Sequence, residues 1–239
     1  MSVRSRGSRP RPLVVLTGLV LAVLPGALPA QALSVPLDRA ALEEGRLDLR
    51  AAVAEVVEYR GAPALRVAGA PDAAPGSALV LLDTPPFRDG TIELELAGAP
   101  APDAGPSMRG FVGVAFRVAD AEADRYECFY LRPTNGRAAD PVRRSHATQY
   151  VSHPEWTWQR LRLESPGGFE TSADIEPGAW TRVRIEVAGD AARLYLGGSA
   201  DPTLVVDDLK GAQAEGGLAL WLHTSTVAHF RNLVVTPAP

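Results

Sequence analysis

The sequence predicts an all-β protein, a sandwich of two packed antiparallel sheets. Period-two alternation of apolar and polar residues recurs about a dozen times along the chain, as half-buried strands require. Turn-forming pairs punctuate those runs: Arg60-Gly61, Asp89-Gly90, Gly189-Asp190 and Gly216-Gly217. Helical periodicity is nearly missing; only residues 38–52 (DRAALEEGRLDLRAA) are expected to form a turn or two, and Gly45 interrupts them. Short strands with long connections and no fixed-period repeat favour two sheets over a propeller or solenoid.

In chain order, strands are expected at 54–59, 64–68, 78–82, 91–97, 111–119, 125–132 and 147–152, then at 181–188, 193–197, 203–206, 217–223 and 228–236. In 91–97, Ile92, Leu94 and Leu96 alternate with Thr91, Glu93 and Glu95, so one face is apolar and the other polar. The run 111–119 has Val112, Val114, Phe116 and Val118 on one side and Phe111, Gly113, Ala115 and Arg117 on the other, which places it centrally, buried on both faces. Val183, Ile185 and Val187 alternate with Arg182, Arg184 and Glu186, a half-exposed strand. Ala188-Gly189-Asp190-Ala191 joins it to the next run as a short hairpin. Leu218, Leu220 and Leu222 alternate with Ala219, Trp221 and His223, which puts a Trp and a His on the face away from the core.

Residues 1–32 are expected to be a secretory signal peptide, and residues 33–239 a single sandwich domain. Arg4, Arg6, Arg9 and Arg11 precede the apolar stretch Leu13 to Leu24, and Ala30-Gln31-Ala32 ends it as a small-x-small cleavage site. That stretch is shorter than the ~20 residues needed to span a bilayer, so no membrane insertion is expected after cleavage. The 239-residue chain has a formal net charge of −4; removing four Arg and no acid leaves −8. An acidic exported chain is a poor partner for nucleic acid. Its location is expected to be periplasmic or extracellular, its state monomeric. With Cys128 alone it forms no internal disulfide and no cysteine-based zinc cluster. Of its 24 bases only Lys210 is Lys.

The segment 125–180 holds three of the four Trp, three of the five Tyr and two of the four His. If Phe129 and Leu131 face the core, Cys128, Tyr130 and Arg132 share the opposite face, and Arg117, Trp221 and His223 join them from neighbouring strands. Aromatic rings beside planar guanidinium donors suit sugars, whose C–H faces stack while their hydroxyls take hydrogen bonds. The alternative is an aromatic cluster that pins the long connection to the sheet, with Arg117 and Arg132 paired to acids such as Glu127. Glycoside hydrolysis uses two carboxylates, yet Glu93/Glu95, Asp174/Glu176 and Asp207/Asp208 all read as solvated or turn residues. They offer oxygens for a structural calcium without a recognisable ligand spacing. No other cofactor is indicated, and His146 and His153 lack zinc-ligand spacing. Cys128 reads as a small buried residue.

The runs GTIELEL (90–96), FVGVAFRVAD (111–120), YECFYLRP (126–133), HATQYVS (146–152), GAWTRVRIEVAGDAARLYL (178–196) and GGLALWLH…AHFRNLVV (216–235) resemble the concanavalin A-like lectin/glucanase superfamily. They are most similar to its laminin G-like jelly-roll domains related to the 3-keto-disaccharide hydrolase-like family. The resemblance spans roughly residues 50–236. It implies a jelly-roll with one concave face that often holds glycans. The candidates there are Arg117, Tyr130, Arg132, Gln149 and Trp221, with Glu127 and His146 at the margin as acid/base candidates. Glu93-Leu94-Glu95 lacks the third acid of the laminarinase-like glycosidases. Three functions are therefore expected to compete: carbohydrate binding without catalysis, cleavage of a (3-keto-)disaccharide by a hydrolase or lyase, and a structural envelope role. Carbohydrate binding is the leading one.

Overall fold

The computed structural model describes residue 1 and residues 31–119, 123–211 and 215–239. The expected signal peptide therefore lies almost wholly outside the described residues. In chain order the elements are β1 Leu33–Val35, α1 Arg39–Glu43, β2 Leu47–Arg50, β3 Ala52–Tyr59, β4 Ala62–Gly69, β5 Ser77–Phe87, β6 Gly90–Pro100, β7 Val112–Ala119 and β8 Arg125–Leu131. There follow α2 Pro133–Gly136, α3 Pro141–Arg144, β9 Thr148–His153, α4 Trp158–Glu164, β10 Glu170–Thr171, β11 Thr181–Ala188, β12 Ala191–Leu196, β13 Leu204–Val206, β14 Gly216–His223 and β15 Thr226–Pro237. The first sheet runs β13-β12-β11-β6-β15-β4-β3, with β1 paired to β15; the second runs β10-β9-β8-β7-β14-β5-β2. Neighbours distant in sequence, such as β6 beside β15 and β7 beside β14, give the jelly-roll its crossed connections.

The inner faces meet in one core. Ile92, Leu94 and Leu96 with Val183, Ile185 and Val187 come from the first sheet, and Val112, Val114, Phe116, Phe129, Leu218, Leu220 and Leu222 from the second. The second sheet also buries its other face: Leu79, Ala115, Cys128, Tyr130, Ala219 and Trp221 form a second apolar cluster. Strand β7 is therefore buried along nearly its whole length, and the Cys128 thiol is pushed up by burial. The helical expectation for 38–52 holds only for α1, capped by Asp38, whose Oδ1 accepts from Ala41 N at 2.8 Å. Beyond Gly45 the chain turns into β2, because Leu47 and Leu49 pair with Leu82 and Val80 at the sheet edge. No helix among the described residues is long and apolar enough to cross a membrane.

One buried polar knot ties the two sheets at an end of the sandwich. Strand β7 shifts register between Phe116 and Ala119, and Arg117 there has a φ of 52°. That left-handed bulge turns its side chain off the outer face and into the protein, where it is 1% exposed. Its Nε donates to Arg88 O at 3.0 Å, and its Nη2 to Gly189 O at 2.6 Å and Asp89 Oδ1 at 3.0 Å. Its Nη1 donates to Glu127 Oε2 at 3.1 Å. The other carboxylate oxygen of Glu127 accepts from Tyr150 Oη at 2.6 Å and from Gly211 N at 3.0 Å. Burial pushes the Glu127 carboxyl up, and the donors Tyr150, Gly211 and Arg117 oppose that shift.

Removing one partner of a buried ion pair strands the other, at roughly 3–5 kcal/mol. Arg117→Met is expected to lower the unfolding free energy by about that amount in urea denaturation. In Arg117→Met/Glu127→Gln, where Gln still accepts from Tyr150 and Gly211, the loss should fall short of the sum of the single losses by ~1 kcal/mol or more. Strict additivity would refute the coupling.

Candidate functional site

The site grows from one row of residues across the second sheet. Gln149, Tyr130, Gly113, Trp221 and Leu79 stand in register on β9, β8, β7, β14 and β5. Strands lie about 4.8 Å apart, so Tyr130 and Trp221 are separated by the whole width of β7. Gly113 lies between them, and a Cβ there would come within 2.7 Å of Tyr130 Cβ. With no side chain in the way, the two rings lean together and stack, centroids 4.8 Å apart at 28°.

Neighbouring groups lock this wall. Trp221 Nε1 donates to both Ser77 Oγ and Tyr126 Oη at 3.1 Å, and Tyr126 Oη donates to Ser77 Oγ at 2.9 Å. Tyr126 stacks on His153, centroids 4.9 Å apart. Phe111 meets Tyr130 edge-on and sits 5.6 Å from the His223 ring. Burial pushes the Tyr126 and Tyr130 hydroxyls up to about 12, so both remain neutral donors or acceptors. It also pushes His153 and His223 below the usual histidine range.

The opposite wall comes from the connection between β9 and β10. Ser152 and Trp156 exchange backbone hydrogen bonds at 3.1 and 2.8 Å, turning the chain back over the sheet. Thr157 then caps α4, whose first residue is Trp158. Trp156 is flanked by the Arg160 guanidinium, 3.6 Å from its ring centroid, and the Lys210 ammonium, at 4.7 Å. Between these walls lies a cavity of about 330 Å³, bounded by Met108, Phe111, Tyr126, Tyr130, Trp156, Trp158, Trp221 and His223. Its apolar rings carry a few polar tips, the usual make-up of a small-ligand site.

Behind Trp158 is a charged network. Arg132 Nη2 donates to Tyr130 Oη at 2.9 Å and Gln149 Oε1 at 3.1 Å, and its Nη1 to His146 O at 3.1 Å. The Glu170 carboxylate, 4% exposed, receives both arms of Arg162 at 2.7 and 2.6 Å and lies 3.5 Å from Arg132. His146 Nδ1 is 2.9 Å from Glu170 Oε2, so the carboxylate pairs with the ring whenever the ring is protonated. Burial lowers the His146 titration, Glu170 raises it, and Arg162 and Arg132 lower it further.

Of the residues expected to form the site, Tyr130, Trp221 and His223 converge on the cavity. Arg132 and Gln149 lie beneath its wall, where Gln149 Nε2 donates to the carbonyls of Tyr150 and Phe169 at 2.8 and 3.0 Å. Arg117 and Glu127 are elsewhere: the bulge in β7 sends them into the knot, where they also border a second cavity of about 280 Å³. That cavity shares Tyr126, His153 and Trp156 with the first. Trp156, Trp158, Arg162 and Glu170 were not singled out from sequence. They fall on α4, on the two-residue β10 and in the turn before α4, where alternation gives no signal, and only the aromatic density of 125–180 pointed towards them.

Among the described residues, no three His, Cys, Asp or Glu side chains converge as a metal site would need. Asp174 and Glu176 pair with Arg137, Glu95 with Arg231, and Asp208 with Lys210. A calcium ion therefore finds no ready cradle among them.

The family model described as the 3-keto-alpha-glucoside-1,2-lyase-like domain matches residues 53–236. No curated protein matches the sequence. The fold is similar to that of a Bacillus subtilis protein of unknown function with a galectin-like fold, at 11% identity over 87% of this chain and 97% of that one, TM-score 0.54. It is also similar to the VIP36 exoplasmic/lumenal domain in its Ca2+/Man3GlcNAc-bound form, at 10% identity over 87% of this chain and 88% of that one, TM-score 0.53. The carbohydrate binding module CBM66 from Bacillus subtilis matches at 14% identity over 79% of this chain and 98% of that one, TM-score 0.48.

Glu170→Gln removes the carboxylate that stands beside His146. The His146 titration, followed by NMR of its ring, is expected to move further down than in the parent protein. An unchanged or raised midpoint would mean that Glu170 does not act on this ring.

Proposed function

The chain belongs to the 3-keto-alpha-glucoside-1,2-lyase-like family, and from this membership and the shape of the aromatic cavity we propose that it is an exported, monomeric protein that binds oligosaccharide. One observation carries the reading: the stacked Tyr130–Trp221 wall faces Trp158 across about 330 Å³. A sugar ring fits between such walls by its C–H faces, and Tyr130 and Trp221 are fixed in place before it arrives, so little ordering remains to oppose binding. Trp158, 38% exposed, is the aromatic group most free to meet the ligand.

A second reading, cleavage beside a ketone, is favoured by His146. Elimination from a 3-keto-glucoside needs a base to take the C2 proton. The C–H electron pair becomes the C1=C2 double bond, the C1–O bond breaks, and the departing oxygen takes a proton. Glu127 is unsuited to that task, because both of its oxygens already accept hydrogen bonds from Tyr150, Gly211 and Arg117. His146 is held below the usual histidine range, so it is neutral at pH 7, and its Nδ1 faces Glu170 at 2.9 Å, which leaves Nε2 to take a proton. Glu170, pinned by Arg162, is the group that would orient it.

Trp158→Ala should weaken binding of its best oligosaccharide in a glycan array by roughly tenfold or more, about 1.4 kcal/mol or greater, with an unchanged melting temperature. Equal binding by the variant would remove this wall from the site. For the second reading, parent protein should release the leaving alcohol from a 3-keto-glucoside and His146→Gln should not; release that survives the substitution rules out His146 as base.

A further inference from the structure

Met108 and Trp158 line the cavity; Arg109 follows Met108 in the chain, and the Arg132 and Arg162 guanidiniums stand 5.9 and 4.7 Å from the Trp158 ring centroid, a concentration of positive charge that the described residues only partly neutralise. Arg132 and Arg162 share the single buried carboxylate of Glu170. Arg109 and Arg143, both half-buried, have no carboxylate within ion-pair distance among the described residues. Arg109 Nη1 donates only to carbonyls, of Pro106 at 2.8 Å and Met108 at 3.1 Å. Arg143 donates to Asn135 Oδ1 at 3.4 Å and Thr134 O at 3.3 Å.

These arginines are one cluster, because the turn at 132–135 joins them. Thr134 N donates to Arg109 O at 3.3 Å, and Asn135 Nδ2 and Arg132 Nη1 both donate to His146 O. Burial and repulsion from Arg143 and Arg132 depress the Arg109 titration. In the same turn the buried Thr134 Oγ1 lacks a hydrogen-bond partner. Acids nearby are committed elsewhere: Asp174 and Glu176 pair with Arg137, and Asp140 caps α3 through Val142 N. The chain as a whole has a formal net charge of −4, so this concentration of unpaired guanidinium is local. Planar guanidinium donors are suited to carboxylate and sulfate oxygens.

We infer that the sugar taken up by the cavity carries an anionic group, a carboxylate or a sulfate, seated against Arg109 and Arg143. This rests on the carbohydrate reading and narrows it to acidic glycans.

Titration calorimetry on the full chain with two matched pairs tests it: oligogalacturonate against its methyl ester, and a sulfated galactan against its desulfated form. The acidic member of at least one pair is expected to bind about tenfold more tightly at low ionic strength, and which pair responds identifies the anion. The preference should shrink several-fold in 0.5 M NaCl, a wild-type measurement that needs no variant. Arg109→Gln/Arg143→Gln should erase it, whereas Arg137→Gln, on the exposed side of the same turn, should retain it. Equal binding within both pairs, or a preference that persists in the double variant, overturns the inference and leaves the carbohydrate reading standing. Binding of none of the four glycans overturns the inference, and a blank glycan array beside it overturns the carbohydrate reading as well.

Discussion

The sandwich depends on a guanidinium that alternation alone would have left outside. Arg117 reaches the turn before β6, the turn between β11 and β12, and the Glu127 carboxylate on β8, so one side chain holds two chain reversals and a strand together. Glu127 extends the connection to Tyr150 on β9 and to the backbone at 210–211 through hydrogen bonds shared with the Tyr150 hydroxyl. A buried ion pair of this kind contributes little net stability over an apolar substitute. Its contribution is to fix how the ends of the two sheets meet, and with them the edge from which β8 and β9 carry the cavity.

The cavity depends on an absence in the same strand. Gly113 sets the distance at which Tyr130 and Trp221 can stack, and the ring pair it permits is both a floor for the cavity and part of an apolar cluster. The sequence reading posed sugar binding and loop packing as alternatives for this face. Both occur. Trp156 and Trp158 fold back over the sheet, yet they stop short of filling it, and a ligand-sized space remains between them and the stacked rings.

Where local chemistry decides position, the sequence could be read. Each of the twelve expected strands is present, because alternation and Gly/Asp turns report directly on which side chains need burial. Burial on both faces of β7 followed from its composition, and Tyr130, Trp221 and His223 followed from simple parity along their strands. Parity failed at Arg117, where a non-glycine residue adopts a left-handed conformation that no residue type announces. It was also silent on β1, β2 and β10, three short edge strands, and on α2, α3 and α4. Glu170 opens the two-residue strand β10 and finds Arg132 and Arg162 only through tertiary folding. The family was legible because its recurring motifs describe strand packing; the cavity was only partly so, because one of its walls is the connection between β9 and β10, with the short helix α4.

Lys210 acquires a practical meaning from its surroundings. It is the sole lysine in the sequence, its backbone N–H is anchored on the Tyr150 hydroxyl, and its ammonium stands 4.7 Å from the Trp156 ring centroid. Amine-directed labelling therefore addresses one side chain besides the chain terminus, and that side chain touches the indole shared by both cavities. A dye or cross-linker placed there would report occupancy without any engineered residue. That singular handle is a by-product of a chain that uses arginine for nearly every positive charge.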